Sequence, residues 1–122
     1  MQQDEAIRHY YSLNPAQFHD FVQLSIKQQW LDGQVEIIVD LELRQSNTNI
    51  PKILYFRFSG VQNIKYIPSE ASTLHFGFID IVCIEEYGWE NIRYKVFETE
   101  QDTKFSFLCR EFFTWCEQEN KT

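Results

Sequence analysis

Apolar and polar residues alternate along residues 34–60 of this chain, and such a two-residue period predicts antiparallel β-strands with one buried and one solvated face. A polar stretch at residues 45–51 interrupts the alternation and suits a turn between strands. We therefore predict one strand on each side of this loop, the second bending or ending at Gly60. The apolar positions of the two strands are Val35, Ile37, Val39, Leu41, Leu43, Leu54, Phe56 and Phe58.

An earlier strand is predicted at residues 18–30, where large apolar residues are interleaved with polar ones. The dipeptide Asp32-Gly33 follows directly, and Asp-Gly between two alternating segments is a strong signal for a β-hairpin turn. We therefore expect this strand and the one that begins near residue 34 to pair as a hairpin.

The second half of the chain has a less regular pattern. Residues 61–67 predict a weaker strand that ends before Pro68, and residues 69–73 predict a polar connection. The nearly continuous apolar run at 74–84 predicts a central strand that is buried on more than one side. Further strands are predicted at residues 92–96 and 105–109, with a turn at 87–91.

The two ends of the chain differ from the middle. Residues 4–13 have apolar residues at helical spacing, and Asn14-Pro15 ends the predicted helix. Residues 111–117 fit either a short helix or a last edge strand. The predicted fold is mainly β (α+β), an antiparallel β-meander of about six to seven strands that forms a curved sheet or a sandwich, with a short terminal helix.

One hydrophobic core is expected, because 122 residues is an ordinary size for a single domain and 43% of them are hydrophobic. We find no linker or repeat that would divide residues 1–122. The residues predicted to form the core are Val35, Val39, Leu41, Phe56, Phe58, Phe76, Phe78, Val96, Phe105 and Phe107.

The formal net charge of −7 restricts the partners of the protein. A charge of this sign repels nucleic acid and anionic lipid, so we predict neither a nucleic acid nor a membrane as partner and expect a charged partner to be basic. No segment approaches the roughly 20 apolar residues that span a bilayer, and residues 1–7 do not resemble a secretory signal. The predicted location is cytoplasmic, and the sequence leaves open whether the protein forms a homo-oligomer.

Metal and redox sites are not indicated by the sequence. Cys83, Cys109 and Cys116 are odd in number and lack C-x-x-C spacing, which argues against a disulfide framework and a zinc site. His9, His19 and His75 are scattered along the chain. We predict three free thiols, no metal and no cofactor.

No catalytic residue is predicted either. His19 and Asp20 could form half of an acid/base pair, but adjacent strand residues point to opposite faces. Cys109 shares a strand face with Phe105 and Phe107, which favours a small buried residue over a nucleophile. The acidic residues of the second half could also be read as glycosidase carboxylates, although a solvated acidic face is the usual explanation.

Residues 80–102 carry the clearest indication of a binding surface. Seven acidic residues and only Arg93 and Lys95 give this segment a charge of −5, which can steer a basic partner. Tyr87 and Trp89 flank Gly88 on a predicted turn, where aromatic side chains are common interface anchors, although both rings could instead fold back onto the core. The predicted partner-binding residues are Glu85, Glu86, Tyr87, Trp89 and Glu90.

Three short segments occur along the chain in a recognisable order. They are Phe18-His19-Asp20, Leu54-Tyr55-Phe56-Arg57-Phe58-Ser59-Gly60-Val61 and Phe105-Ser106-Phe107-Leu108-Cys109-Arg110. Their order resembles that in small β-rich bacterial immunity proteins of polymorphic toxin systems, and the similarity extends from Phe18 to Trp115 through mostly apolar motifs. The resemblance implies a non-enzymatic protein that binds and neutralises a toxin, and it supplies no catalytic residue.

A second class of function stays open at this point. A curved sheet could enclose an aromatic pocket, with His19, Asp20 or His75 at its mouth, and act as a small-molecule-binding or enzymatic domain. A pocket with these residues would favour that class, whereas exposed aromatic side chains on an acidic face would favour protein binding.

Overall fold

The structure of the protein, a computed structural model, describes residues 4–45, 48–66, 79–84, 92–99 and 105–118. These ranges contain one α-helix, one short 3-10 helix and eight strands, which confirms the predicted mainly antiparallel β fold. The elements are α1 (Glu5–Ser12), a 3-10 helix (Pro15–Gln17), β1 (Phe18–Leu31), β2 (Gln34–Gln45), β3 (Lys52–Ser59), β4 (Gln62–Tyr66), β5 (Ile79–Cys83), β6 (Tyr94–Glu98), β7 (Phe105–Cys109) and β8 (Glu111–Gln118).

The strands form two antiparallel sheets of four strands each. Sheet A has the order β1-β2-β3-β8, and sheet B has the order β4-β7-β6-β5. The chain passes from β3 into β4 at Gly60 and returns from β7 into β8 at Arg110, and the two crossings lie side by side. Bends of this kind let a strand pair leave one sheet and enter the other, so that the inner faces enclose a core.

The predicted hairpin between β1 and β2 is confirmed. Asp32 and Gly33 have φ angles of 52° and 78°, and positive values at both central residues are what a type I′ turn requires. Trp30 pairs directly with Val35 beside the turn, and Leu24 pairs with Leu41 further down. Because paired residues point to the same face, this register aligns the apolar positions of both strands on the inner face of sheet A.

The core contains most of the residues predicted from the sequence. Val39, Leu41, Phe56, Phe58, Val96, Phe105 and Phe107 are all buried. The prediction for Val35 was wrong: 51% of this residue is exposed, because it lies near the hairpin turn, where sheet B does not cover the inner face. Phe76 and Phe78 lie outside the described residues.

Aromatic contacts join the two sheets across the core. Phe58 of sheet A meets the edge of Phe107 of sheet B, with ring centroids 4.8 Å apart, and Phe112 meets Tyr94 in the same way at 4.8 Å. Edge-to-face pairs of this kind contribute about 0.5–1.5 kcal/mol beyond the area that they bury. The Phe and Tyr residues that alternate along the strands therefore fix one sheet against the other.

Helix α1 connects the free edges of the two sheets. Asp4 caps the helix by accepting hydrogen bonds from the backbone N–H groups of Ala6 and Ile7 at 3.0 and 3.1 Å, and it also accepts one from the Tyr94 hydroxyl at 2.7 Å. Tyr10 is fully buried and donates to the carbonyl oxygen of Ile79. On the other side, His9 Nε2 lies 3.1 Å from the carbonyl oxygen of Thr114 in β8.

The prediction of a central strand at residues 74–84 was wrong for the part that the structure describes. β5 lies at the end of the sheet B order, where β6 is its one strand partner among the described residues. Ile79 and Ile81 are buried, whereas Asp80 is partly exposed and Val82 is exposed, so the face that carries residues 80 and 82 is solvated. A continuous apolar run was read as burial on two sides, although only alternate residues meet the core. Residues 74–78 lie outside the described ranges.

Residues 111–117, predicted as either a short helix or a last edge strand, form a strand. β8 pairs with β3 over its full length and forms an edge of sheet A, so the second of the two predicted alternatives is confirmed. Within the described ranges, no helix has the length and apolar character needed to cross a membrane.

Thr114 provides a test of this packing. The residue is 7% exposed on the inner face, and its hydroxyl has no hydrogen-bond partner among the described residues. A buried unpaired hydroxyl costs about 1–3 kcal/mol, so Thr114→Val should raise the free energy of unfolding by about 1 kcal/mol. Urea unfolding measures the change, and Thr114→Ser, which keeps the hydroxyl and loses the methyl group, should lower stability. A destabilised valine variant would contradict the prediction.

Candidate protein-binding surface

β8 presents two aromatic side chains to solvent because its residues alternate between the two faces of sheet A. Phe112 and Thr114 point inward and are buried. Phe113 and Trp115 point outward and are 60% and 39% exposed. The outward positions at the two ends of the strand are Glu111 and Glu117, and both are exposed.

β3 supplies the neighbouring row of this surface. In the register of the two strands, Tyr55 lies opposite Trp115 and Arg57 lies opposite Phe113. The Tyr55 and Trp115 rings are stacked, with centroids 5.3 Å apart and planes inclined by 10°. Directly opposed aromatic residues stabilise an antiparallel pair, so this stack holds Trp115 in one position.

Arg57 is also fixed in position, by Asp40 of β2. Arg57 Nε donates to Asp40 Oδ1 at 2.8 Å and Arg57 Nη2 donates to Oδ2 at 3.2 Å, while Lys27 Nζ lies 3.5 Å from Oδ2. The hydrogen bond from Arg57 is the largest cause of a lowered Asp40 pKa. Asp40 therefore stays ionised at neutral pH, and the bidentate pair holds the guanidinium beside Phe113.

We call the residues Tyr55, Arg57, Glu111, Phe113, Trp115 and Glu117 the β8 surface. It combines Trp, Tyr and Arg, the residue types enriched at the energetic centres of protein interfaces. Its aromatic rings lie on paired strands whose other face is the core, and the Trp115 ring is also held by its stack on Tyr55, so less freedom remains to be lost on binding. The two exposed glutamates place a negative charge at each end of the aromatic row.

The sequence contained a signal for this surface that our sequence reasoning missed. If residues 111–117 form a strand, alternation places Glu111, Phe113, Trp115 and Glu117 on one face. The segment was assigned to either a helix or a strand, and a helix would have scattered these four residues around its axis. Its pairing with β3, about 60 residues earlier in the chain, decided between the two.

The partner-binding residues predicted from the sequence, Glu85, Glu86, Tyr87, Trp89 and Glu90, lie outside the described residues, and their role stays a prediction. Two acidic residues of the same segment are described. Glu98 is 2% exposed and therefore adds little to an acidic surface. Asp80 accepts a hydrogen bond from the Tyr11 hydroxyl.

Catalytic readings of the sequence gain no support from the described residues. A cavity of about 490 Å³ among the described residues has no aromatic residue and neither His19 nor Asp20 in its lining. Cys109 is fully buried, as alternation predicted, and burial raises the pKa of its thiol to about 12. Such a thiol is protonated at neutral pH and is a poor nucleophile. No group of three potential metal ligands occurs among the described residues. The cavity is lined by Asp32, Gln34, Val35, Glu36, Ile37, Gly60, Val61, Gln62 and Arg110.

Comparison with known proteins was informative at the level of the family. The family model described as "Immunity protein PIM8" matches residues 2–115. No curated protein and no solved structure matches the chain.

Proposed function

The chain belongs to the PIM8 family of immunity proteins, and on this premise we propose that it neutralises a toxin by binding it through the β8 surface. The proposed action is stoichiometric and non-enzymatic: the immunity protein covers the toxin and performs no chemistry on it. We expect this to take place in the cytoplasm, where a toxin would meet its target.

The exposure of Phe113 and Trp115 is the observation that carries the proposal. Two aromatic side chains occupy the outward positions of one strand, while their inward neighbours form part of the core. Aromatic residues bury roughly 150–250 Å² each when they are fully covered. Because Phe113 is 60% exposed and Trp115 is 39% exposed, roughly 100 Å² per residue is available to a partner. An interface centred on these rings would gain most of its binding energy from a few residues.

Charge supports a basic toxin surface as the partner. The net charge of −7 attracts a cationic protein over a distance, and Glu111 and Glu117 place two carboxylates at the ends of the aromatic row. Glu111 also lies 3.6 Å from Arg110, an exposed ion pair that contributes little and can be exchanged for a partner contact. Steering of this kind raises the association rate more than the lifetime of the complex.

Trp115→Ala should weaken the toxin complex by about 2 kcal/mol, or about 30-fold in Kd, mainly through faster dissociation. The toxin would be sought among the products of reading frames next to the immunity gene, and binding measured with the immunity protein immobilised at low density. Trp30→Ala is the matched control, because Trp30 is 73% exposed on the opposite face of the same sheet. Equal dissociation rates for the Trp115 variant and wild type would contradict this site.

Charge reversal at Glu111 and Glu117 should slow association and reduce its dependence on salt, with a smaller effect on dissociation. Glu5→Lys is the control: it changes the net charge by the same amount per site, but Glu5 lies on α1 with its side chain 89% exposed, so the effect should be weaker.

Trp89→Ala tests the surface predicted from residues 85–90. A loss of affinity in that variant, with Trp115→Ala unchanged, would move the toxin site to the acidic segment.

A further inference from the structure

β1 is a long edge strand that remains open on one side. Residues 23–31 pair with β2 without a bulge, and on the other side they have no strand partner among the described residues. A long, regular edge of this kind is a template for pairing with another chain. The two register irregularities of β1 both lie before residue 23, so they do not protect this part of the edge.

The side chains along this edge are more apolar than an isolated edge strand tolerates. Ile26 is 48% exposed and Trp30 is 73% exposed, and both lie on the inner face of sheet A, beyond the area that sheet B covers. Val35, the direct partner of Trp30, is 51% exposed on the same face. Trp30 and Val35 form an apolar pair beside an open row of backbone hydrogen-bonding groups, and Ile26 lies on the same face beyond Gln28.

Charge indicates which kind of chain can approach this edge. Residues 21–31 contain no acidic residue, and their one charged side chain, Lys27, lies 3.5 Å from Asp40. Two copies of a protein with a net charge of −7 repel each other at most surfaces, but here a second copy meets no carboxylate on the strand itself. A strongly basic partner would gain nothing from an edge without acids.

We propose that the β1 edge binds a second copy of this chain, by antiparallel β1–β1 pairing around a two-fold axis at Gln28. This register places Trp30 of each copy opposite Ile26 of the other, on the same face, so that the two most exposed apolar residues of the edge cover each other. Lys27 then faces Gln29 of the second copy, which avoids two like charges in directly opposed positions.

The proposed dimer leaves the β8 surface free. An antiparallel pair related by a two-fold axis perpendicular to the sheet continues it from four to eight strands and keeps the outer faces on one side. β8 lies at the edge of sheet A opposite β1, so the two β8 surfaces occupy the far ends of the joined sheet. Dimer formation and toxin binding can therefore be tested independently.

Analytical ultracentrifugation of the wild-type protein should show a concentration-dependent dimer with twice the 14.7 kDa mass of the chain. Trp30→Lys should raise the Kd of the dimer about tenfold or more. Phe113→Lys, an equally drastic change on the β8 surface, should leave it unchanged. A wild-type protein that stays monomeric at about 1 mM, a concentration at which even millimolar dimers are populated, would overturn the proposal.

Disulfide trapping tests the register. In a Cys83→Ser background, which removes the exposed native thiol, Gln28→Cys should form a covalent dimer on mild oxidation because its counterpart lies directly opposite. Lys27→Cys is the control, since its counterpart is displaced along the strand and should cross-link much more slowly. Preferential cross-linking of the Lys27 variant would overturn the axis at Gln28.

Amide hydrogen exchange separates self-pairing from toxin binding at the same edge. Protection of residues 23–31 only in the presence of toxin would assign the edge to the toxin and overturn self-pairing.

Discussion

Replacing Phe107 with alanine should lower the free energy of unfolding by about 3–5 kcal/mol. The ring is 3% exposed and meets Phe58 of the opposite sheet at 4.8 Å and Phe105 at 5.8 Å. Its removal leaves a cavity between two sheets that are each held by backbone pairing and cannot collapse fully into the space. The loss therefore combines the burial of the ring with the cost of the cavity.

Phe113→Ala is the matched control for this prediction. It removes the same side chain from a residue that is 60% exposed, and such surface substitutions usually change stability by about 0.5 kcal/mol or less. Denaturation of both variants in urea, with the m-value monitored, gives the comparison. A loss below about 1 kcal/mol for Phe107→Ala would mean that the two sheets do not share one core at this position.

Gly60→Ala should lower the free energy of unfolding by about 2–5 kcal/mol, the second largest effect that we expect. Gly60 has a φ of 62°, where an alanine is strained by about 1–2 kcal/mol. An added Cβ would also stand 2.8 Å from the Cβ of Arg110, on the other strand that crosses between the sheets. The Cβ of Arg110 is bonded directly to the backbone and cannot rotate away, so the two strands would have to separate. Overpacking of this kind costs about 1–3 kcal/mol.

Gly33→Ala separates the two contributions. Gly33 has a similar φ of 78°, but no atom lies within 4 Å of the position of its added Cβ. This variant should therefore show the backbone strain without the collision and lose about 1–2 kcal/mol. Thermal unfolding of the two variants measures the difference, and equal losses would show that the crossing at Gly60 can widen without cost.

The bend at Gly60 and Arg110 also determines the candidate function. Val61 N donates to the carbonyl oxygen of Ile37 at 3.1 Å, and Arg110 N donates to the carbonyl oxygen of Ser59 at 3.0 Å. The first bond ties the crossing at Gly60 to β2, and the second holds the two crossings together. Because β7 leaves sheet B here, the residues that follow can pair with β3, and this pairing places Trp115 on Tyr55 and Phe113 beside Arg57.

The sequence by itself determined the local structure of the protein. Alternation over residues 34–60 indicated strands, Asp32-Gly33 indicated the hairpin, and Asn14-Pro15 indicated the end of the helix; each is present. Such signals are sufficient because the period of a strand and the φ angles of a turn depend on residues that are neighbours in the chain. The membership of Phe56, Phe58 and Phe107 in the core followed from the same period.

Only the tertiary structure decided which apolar faces are covered. Val35 belongs to an alternating segment and Ile81 to a continuous apolar run, and both segments predicted burial. Val35 is exposed because sheet B stops short of the hairpin turn, whereas Ile81 is buried at a sheet edge. The β8 surface likewise exists only because strands distant in the chain lie side by side. A face is buried only if another element lies opposite it, and pairing between distant segments decides which element that is. The period of a single segment carries no information about such pairing.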